Sequence, residues 1–359
     1  MADENIFYNV NITNPNDYPN VSSFQANYYE ERLQPFLSDP DKYELKIIKF
    51  SVPAEEIPII IADMQIGSNP QITNWSIGYQ NGNNFKTIFL PYVTDEAGKT
   101  ANPSPILDNE YRHNSYYWIY SYQHMIEIMN NGLISAAGQT GSTGAISGPL
   151  PYFLYDSATQ LLSCIIPRGF TWQIIVNTPL HNYLVGFNLQ YNGTGLPNNN
   201  DFAIDPYGYD TDYFPPSVGN TGQASPYIQI IQEFNSMIYW FSLKNIIFTS
   251  ATLPITNETL SSRYGQSSGN SSPVLIDFTP DLTLTSTPRS ILNYYDPGND
   301  RWISMNHSIG LKKLQLSIFW QDILGFTYPI EIPYKQQLQI KLLFRKKLIY
   351  RTKEKEYLK

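Results

Sequence analysis

Four histidines offer the first candidates for metal or acid–base chemistry: His113, His124, His181 and His307. None stands at metal-ligand spacing from another His, a Cys or a carboxylate. His124 falls within a helical pattern and reads as a surface or capping group. The single cysteine, Cys164, sits in the apolar run Leu161-Leu162-Ser163-Cys164-Ile165-Ile166. It reads as a small buried hydrophobe, not a nucleophile. A lone cysteine forms no internal disulfide, so the fold needs no oxidising compartment. The run Gly138-Gln139-Thr140-Gly141-Ser142-Thr143-Gly144 has the look of a phosphate loop. No Lys-Ser/Thr follows it, however, and no βαβ context surrounds it, so a plain loop is the better reading. Carboxylates gather at Glu55-Glu56, at Asp205 with Asp210 and Asp212, and at Asp296 with Asp300. A β-sandwich glycosidase needs two carboxylates roughly 5–10 Å apart in a cleft. These acids fall instead in turn-forming stretches such as Asp296-Pro297-Gly298-Asn299-Asp300, where Asp suits the backbone geometry. They lack the ligand spacing of a regular Ca²⁺ loop. The expectation is no catalytic centre, no metal and no cofactor.

Two groups of residues suit binding better. The stretch Lys341–Lys359 holds eight basic and two acidic residues, whereas Met1–Ile340 carries a net charge of −14. An acidic body with a basic end suggests an anionic partner for that end. Arg345, Lys346, Lys347, Arg351, Lys353 and Lys355 are the candidate nucleic-acid or inner-surface contacts, through salt-sensitive neutralisation of phosphates. The competing reading is an ordinary charged end that blunts an edge strand. The second group is aromatic. Tyr207, Tyr209, Tyr213 and Phe214 lie in a turn-rich stretch and read as outward or inter-subunit contacts. Stacking on carbohydrate is the alternative.

The elements that must position these residues are mostly strands. Of the 359 residues, 42% are hydrophobic and only 15% charged, against roughly 25% in an average soluble chain. Tyr, Asn, Ser and Thr supply the missing polarity, which suits strands and subunit contacts. Period-two alternation runs through Asn5–Thr13, with Ile6, Tyr8, Val10 and Ile12 on one face. Lys42–Val52 starts as alternation and becomes apolar on both faces, like an inner strand. Ile57–Ile61 is a short run that Pro58 demotes to an edge or a strand start. Gln80-Asn81-Gly82-Asn83 marks a hairpin between the Trp75–Tyr79 strand and Phe85–Leu90. Tyr152–Tyr155 and Gln160–Ile166 form a second hairpin, and Trp172–Val176 a further strand. One helix follows Ser121 as its N-cap, through Tyr122, Met125, Ile126, Met129 and Leu133. A helical turn fits Pro179–Leu184. Tyr227–Phe241 reads as extended, Leu243–Leu253 and Val274–Phe278 as strands. The chain closes on a hairpin of Lys312–Trp320 with Leu338–Phe344. No apolar window is long enough for a transmembrane helix, and Met1-Ala2-Asp3-Glu4-Asn5 shows no secretion signal.

Many short strands with Gly, Pro and Asn turns predict a mainly β antiparallel sandwich or barrel. The domain expectation is one discontinuous unit, residues 1–191 and 227–359. It is interrupted by a loop-rich insertion at 192–226, in which 19 of 35 residues are Gly, Pro, Asn or Asp. A second flexible stretch is expected at 261–272.

Three blocks, in order along nearly the whole chain, resemble a known family. They are Tyr43–Pro53 with Ile57–Ile61 and Trp75–Tyr79; Tyr116–Asn130 with Pro151–Asp156; and Leu314–Asp322 with Tyr328–Ile330 and Lys341–Lys347. The chain resembles the single jelly-roll minor capsid (penton) proteins of Polinton-like viruses and virophages. The resemblance implies an antiparallel jelly-roll β-sandwich with long loop insertions and one short helix. It implies a homopentamer at the five-fold vertices of an icosahedral virion, beside a separate major capsid protein, and no active site. Packaged DNA is the implied partner of the basic C-terminal end, and assembly inside the host cell follows from the missing secretion signal. A viral attachment or carbohydrate-binding β-sandwich protein is the alternative, and a β-fold glycoside hydrolase the third reading.

Overall fold

A computed structural model describes residues 5–14, 23–65, 72–94, 110–140, 144–204, 210–215, 226–255, 273–280, 291–295 and 301–347. The chain divides into two compact units, Met1–Ile57 with Ser242–Lys359, and Pro58–Phe241. The second unit enters the first between two of its strands.

Eight main strands build the first unit: Ile6–Thr13, Asn27–Glu31, Tyr43–Val52, Leu243–Thr249, Val274–Phe278, Leu292–Tyr295, Lys313–Asp322 and Gln337–Lys346. All pairs are antiparallel. The first strand pairs with the eighth, the second with the seventh, the third with the sixth and the fourth with the fifth. Eighth-to-third and seventh-to-fourth pairings join these ribbons into two sheets. A ribbon rolled in this nested order is a jelly roll, which hides its edges by folding two sheets together. The inner faces meet at Phe50, whose ring lies 4.7 Å from Phe248 and 5.2 Å from Phe278. Leu338, Ile340, Leu342 and Phe344 line the same core from the eighth strand, which lies between the first and third.

Two sequence expectations are corrected here. Lys313–Asp322 and Gln337–Lys346 are not a hairpin, for they lie in opposite sheets. Asp322 diverts the chain: its buried Oδ1 accepts from the Leu324 and Phe326 N–H groups, each at 2.9 Å. The chain then returns as Thr327–Pro329 beside the seventh strand, and Glu331–Pro333 pairs with Ser23–Gln25. Nor is the third strand apolar on both faces. Lys341 faces Lys49 while Leu342 faces Ile47, so Ile48 is an extra, bulged residue. The buried set shifts phase there, from Tyr43, Leu45 and Ile47 to Phe50 and Val52.

In the second unit, Ile72–Asn81 pairs with Asn84–Pro91 through a turn in which Gly82 takes φ +58°. Gln173–Val176 flanks the other side, followed by Phe202–Ile204 and Leu189–Tyr191. A second sheet holds Asp210–Tyr213, Tyr227–Ile231, Leu161–Pro167 and Tyr152–Asp156 in that order. Ile60–Ile61 pairs with Trp118–Ile119. The helix Tyr122–Ala137 starts as its sequence predicts, with the Ser121 hydroxyl accepting from the His124 N–H at 3.2 Å. Its apolar stripe buries Met125, Ile128, Met129 and Leu133. Gly132 permits the close approach, since a Cβ there would stand 2.1 Å from Leu90 Cδ2. A shorter helix spans Thr178–His181.

The unit boundaries differ from the expected insertion. Residues 192–226 are not one structureless loop: Phe202–Ile204 and Asp210–Tyr213 pair into the two sheets of the second unit. Asn200 is buried and donates to the Ser76 hydroxyl at 2.9 Å. The Asn content serves the backbone here, as Asn198 and Asn199 both take positive φ. Tyr227–Phe241 is extended only to Ile231, and a 3₁₀ turn spans Met237–Trp240. The strand expected to reach Leu253 ends at Thr249, where Ser250 accepts from the Leu253 N–H. Residues 261–272 lie outside the described residues.

Candidate functional site

The chemistry-bearing residues are scattered across the two units. Among the described residues, no group of three or more His, Cys, Asp or Glu stands where it could hold a metal. His124, expected as a surface or capping group, is buried, and its backbone N–H takes part in the Ser121 cap. Its Nε2 lies 2.5 Å from the Val93 carbonyl, and its ring sits edge-on to Tyr92. The helix turns this residue inward because its partner positions, Met125 and Ile128, pack the same core. His181 stacks on Phe202 at 3.9 Å, and burial lowers its pKa. The Cys164 thiol is fully buried, which raises its pKa and disfavours the reactive thiolate. Asp212 is tied to Arg168 by an ion pair. Asp205, Asp296 and Asp300 lie outside the described residues.

The glycine run after Ala137 has the wrong polarity for a phosphate. It follows the carbonyl end of the Tyr122–Ala137 helix, where the dipole is negative. A hollow of about 560 Å³ opens there, lined by Phe85, Lys86, Ser135, Gly138, Gln139 and Thr140. Buried Lys86 reaches that helix end and donates to the Gln139 carbonyl at 2.6 Å.

The basic end fares differently. The eighth strand carries Arg345 onto the solvent face of its sheet. Its guanidinium pairs with Glu44 on the third strand at 2.7 Å and lies 3.5 Å from the Trp302 ring. Lys347 donates to the Met305 carbonyl at 3.1 Å. Lys346 ends the strand half-buried, opposite Tyr43. These three are therefore anchored parts of the jelly roll. Arg351, Lys353 and Lys355 lie outside the described residues, as do Tyr207 and Tyr209.

Of the aromatic candidates, Tyr213 closes the Asp210–Tyr213 edge strand opposite Tyr227, and Phe214 follows it half-buried. Tyr152 joins them on the same sheet. Its hydroxyl is pushed up to about 12 by burial and then by Tyr213 and Tyr227. The sequence did not signal this tyrosine cluster, because its members stand on three different strands.

A jelly roll with a second β unit inserted in its chain is an architecture open to viral shell proteins. The chain belongs to the Sputnik minor capsid protein V18/19 family, whose model matches residues 6–346. Among curated proteins, structural protein V19 of Sputnik virophage is 28% identical over 205 residues, covering 54% of this chain and 94% of that protein. Protein V18 of the same virophage is 27% identical over 143 residues, covering 38% and 84%. A chain in the cryo-EM structure of the Sputnik virophage matches with a TM-score of 0.83 at 25% identity, over 98% of this chain and 99% of that one. The mavirus penton protein shares the fold, with a TM-score of 0.64 at 14% identity over 96% and 100%. The protein is thus a minor capsid protein and a structural component of the virion. Among the described residues, no helix is long and apolar enough to cross a membrane.

Proposed function

We propose that this protein is a penton subunit that closes into a homopentameric ring at the five-fold vertices of an icosahedral shell, seated against a separate major capsid protein. The observation that carries this reading is the end-to-end match to a Sputnik virophage chain, joined with the penton fold shared over nearly all of the chain. The protein works by assembly and not by turnover, and it is built and incorporated inside the host cell. A closed ring needs a heterologous contact, one face meeting a different face of the neighbour. Such obligate contacts bury about 2,000 Å² or more. Tyr213 and Phe214 at their sheet edge are candidates for outward or lateral contact. The basic C-terminal end faces packaged DNA through Arg345–Lys347 and the following Arg351, Lys353 and Lys355.

Native mass spectrometry of the purified protein tests the ring directly. The expected species has five times the 41.1 kDa chain mass. A monomer at all concentrations, or a stable trimer, overturns the reading. Trimming residues 351–359 is expected to weaken retention on a polyanion column at low salt.

A further inference from the structure

The jelly roll assembles a basic surface that no single stretch of sequence contains. Along the eighth, third and sixth strands, alternate residues face away from the sandwich core. One row across the sheet reads Asn9, Lys341, Lys49 and Tyr295. The neighbouring row reads Phe7, Leu343 and Lys46, with the Lys46 ammonium 4.7 Å from the Trp302 ring. Arg345 continues the same face. Among the described residues, Glu44 is its only carboxylate, and Arg345 engages it.

Lys49 and Lys341 stand directly opposite each other. Like charges so placed destabilise a sheet. Neither meets a carboxylate among the described residues; their ammonium groups rest over Tyr295 at 5.2 Å and Phe7 at 5.1 Å. Those two residues remain more than half exposed, at 64% and 53%. A pair of cations that meets no carboxylate among the described residues calls for a counter-charge. The rest of the face is Asn9, Asn11, Gln339, Ser51 and Asn293, neutral groups that hydrogen-bond phosphate or sugar oxygens. The same strand runs on into the basic C-terminal stretch.

We infer that the solvent face formed by Lys46, Lys49, Lys341 and Arg345 is a nucleic-acid backbone-binding surface, sequence-independent and salt-dependent. Phosphates neutralise the Lys49–Lys341 pair, and Phe7 and Tyr295 offer ring faces to unpaired bases. This rests on the reading of the protein as a shell component meeting packaged nucleic acid, but it moves the contact from the tail to the sheet. Ring formation does not depend on it.

The test is fluorescence anisotropy of the full-length protein with a short labelled DNA duplex across a salt series. The double variant Lys49→Glu/Lys341→Glu is expected to lose roughly tenfold or more in affinity and to lower the log–log salt slope by roughly 2. Lys49→Gln/Lys341→Gln, which removes the repulsion without adding acids, is expected to lose affinity while melting no lower than the parent. Unchanged DNA affinity in both variants, with the C-terminal tail intact, overturns the inference. So does binding to polyglutamate or to phosphatidylserine vesicles that DNA fails to displace, since the partner is then an acidic polypeptide or a membrane. A pentamer that assembles normally but ignores DNA refutes this surface alone.

Discussion

The two units of this chain use the same antiparallel chemistry with opposite economies of chain. In the jelly roll, partners are far apart in sequence: Ile6 pairs with Phe344, and Tyr29 with Gln315. In the second unit, much of the pairing is local, as in the hairpins Ile72–Asn81 with Asn84–Pro91 and Tyr152–Asp156 with Leu161–Pro167. A helix supplies one wall of its core. The nested order explains why the jelly roll accepts Pro58–Phe241 between its third and fourth strands. Loop closure grows only with the logarithm of loop length, about 0.6 kcal/mol per doubling. An inserted unit with its own core adds little to a closure that is already long-range.

That contrast can be broken from either side. The largest effect is expected for Phe50→Ala, which empties the meeting point of the two jelly-roll sheets and costs about 3–5 kcal/mol. Calorimetry should show one transition falling and a second, from the Pro58–Phe241 unit, holding. Two transitions falling together would show that the units are not energetically separate. Gly78→Ala is the mirror experiment. A Cβ at Gly78 would stand 2.1 Å from the Lys86 carbonyl oxygen, a backbone atom that cannot swing aside. The expected cost is about 1–3 kcal/mol, confined to the second unit. Ser121→Ala removes the helix cap and is expected to cost about 1 kcal/mol, read as a lower melting temperature of that same unit.

The smallest effect concerns acid. Glu30 accepts hydrogen bonds from Tyr28 and Tyr8 and from Arg32 Nε at 2.6 Å, which hold its pKa down to about 2. Tyr8 belongs to one sheet and Glu30 to the other, so the cluster clips the sandwich edge. A carboxylate with a lowered folded-state pKa adds stability that is complete above its ordinary value of 4.5 and fades as pH falls through about 2. Glu30→Gln should therefore flatten the acid side of the jelly-roll stability curve between those values, leaving the second unit unmoved. Melting temperatures across a pH series check this.

Local features were legible in the sequence. Val274–Phe278 forms the strand its composition predicts, Asn81-Gly82 makes its turn, and Ser121 caps its helix. These depend on neighbours within a few residues. Phase and partnership were not legible. The bulge at Ile48 looks like two-sided burial because one extra residue shifts a period-two pattern by half its repeat. Lys313–Asp322 and Gln337–Lys346 look like a hairpin because adjacency is the commonest partnership, and only the Asp322 turn sends them to different sheets. The basic end was visible as a run of charge, but half of the basic face comes from Lys46 and Lys49, about three hundred positions earlier.

By itself, then, the sequence determined which residues alternate, which turn and which cap, and so the β class and the helix. It also determined the order of blocks that marks the capsid family. The tertiary structure alone decided which strands lie side by side, where the inserted unit begins, and that Lys49 stands against Lys341. The reason is physical: side-chain alternation and turn preference are set by bonded neighbours, whereas strand register is set by which apolar faces can close over one another across the whole chain.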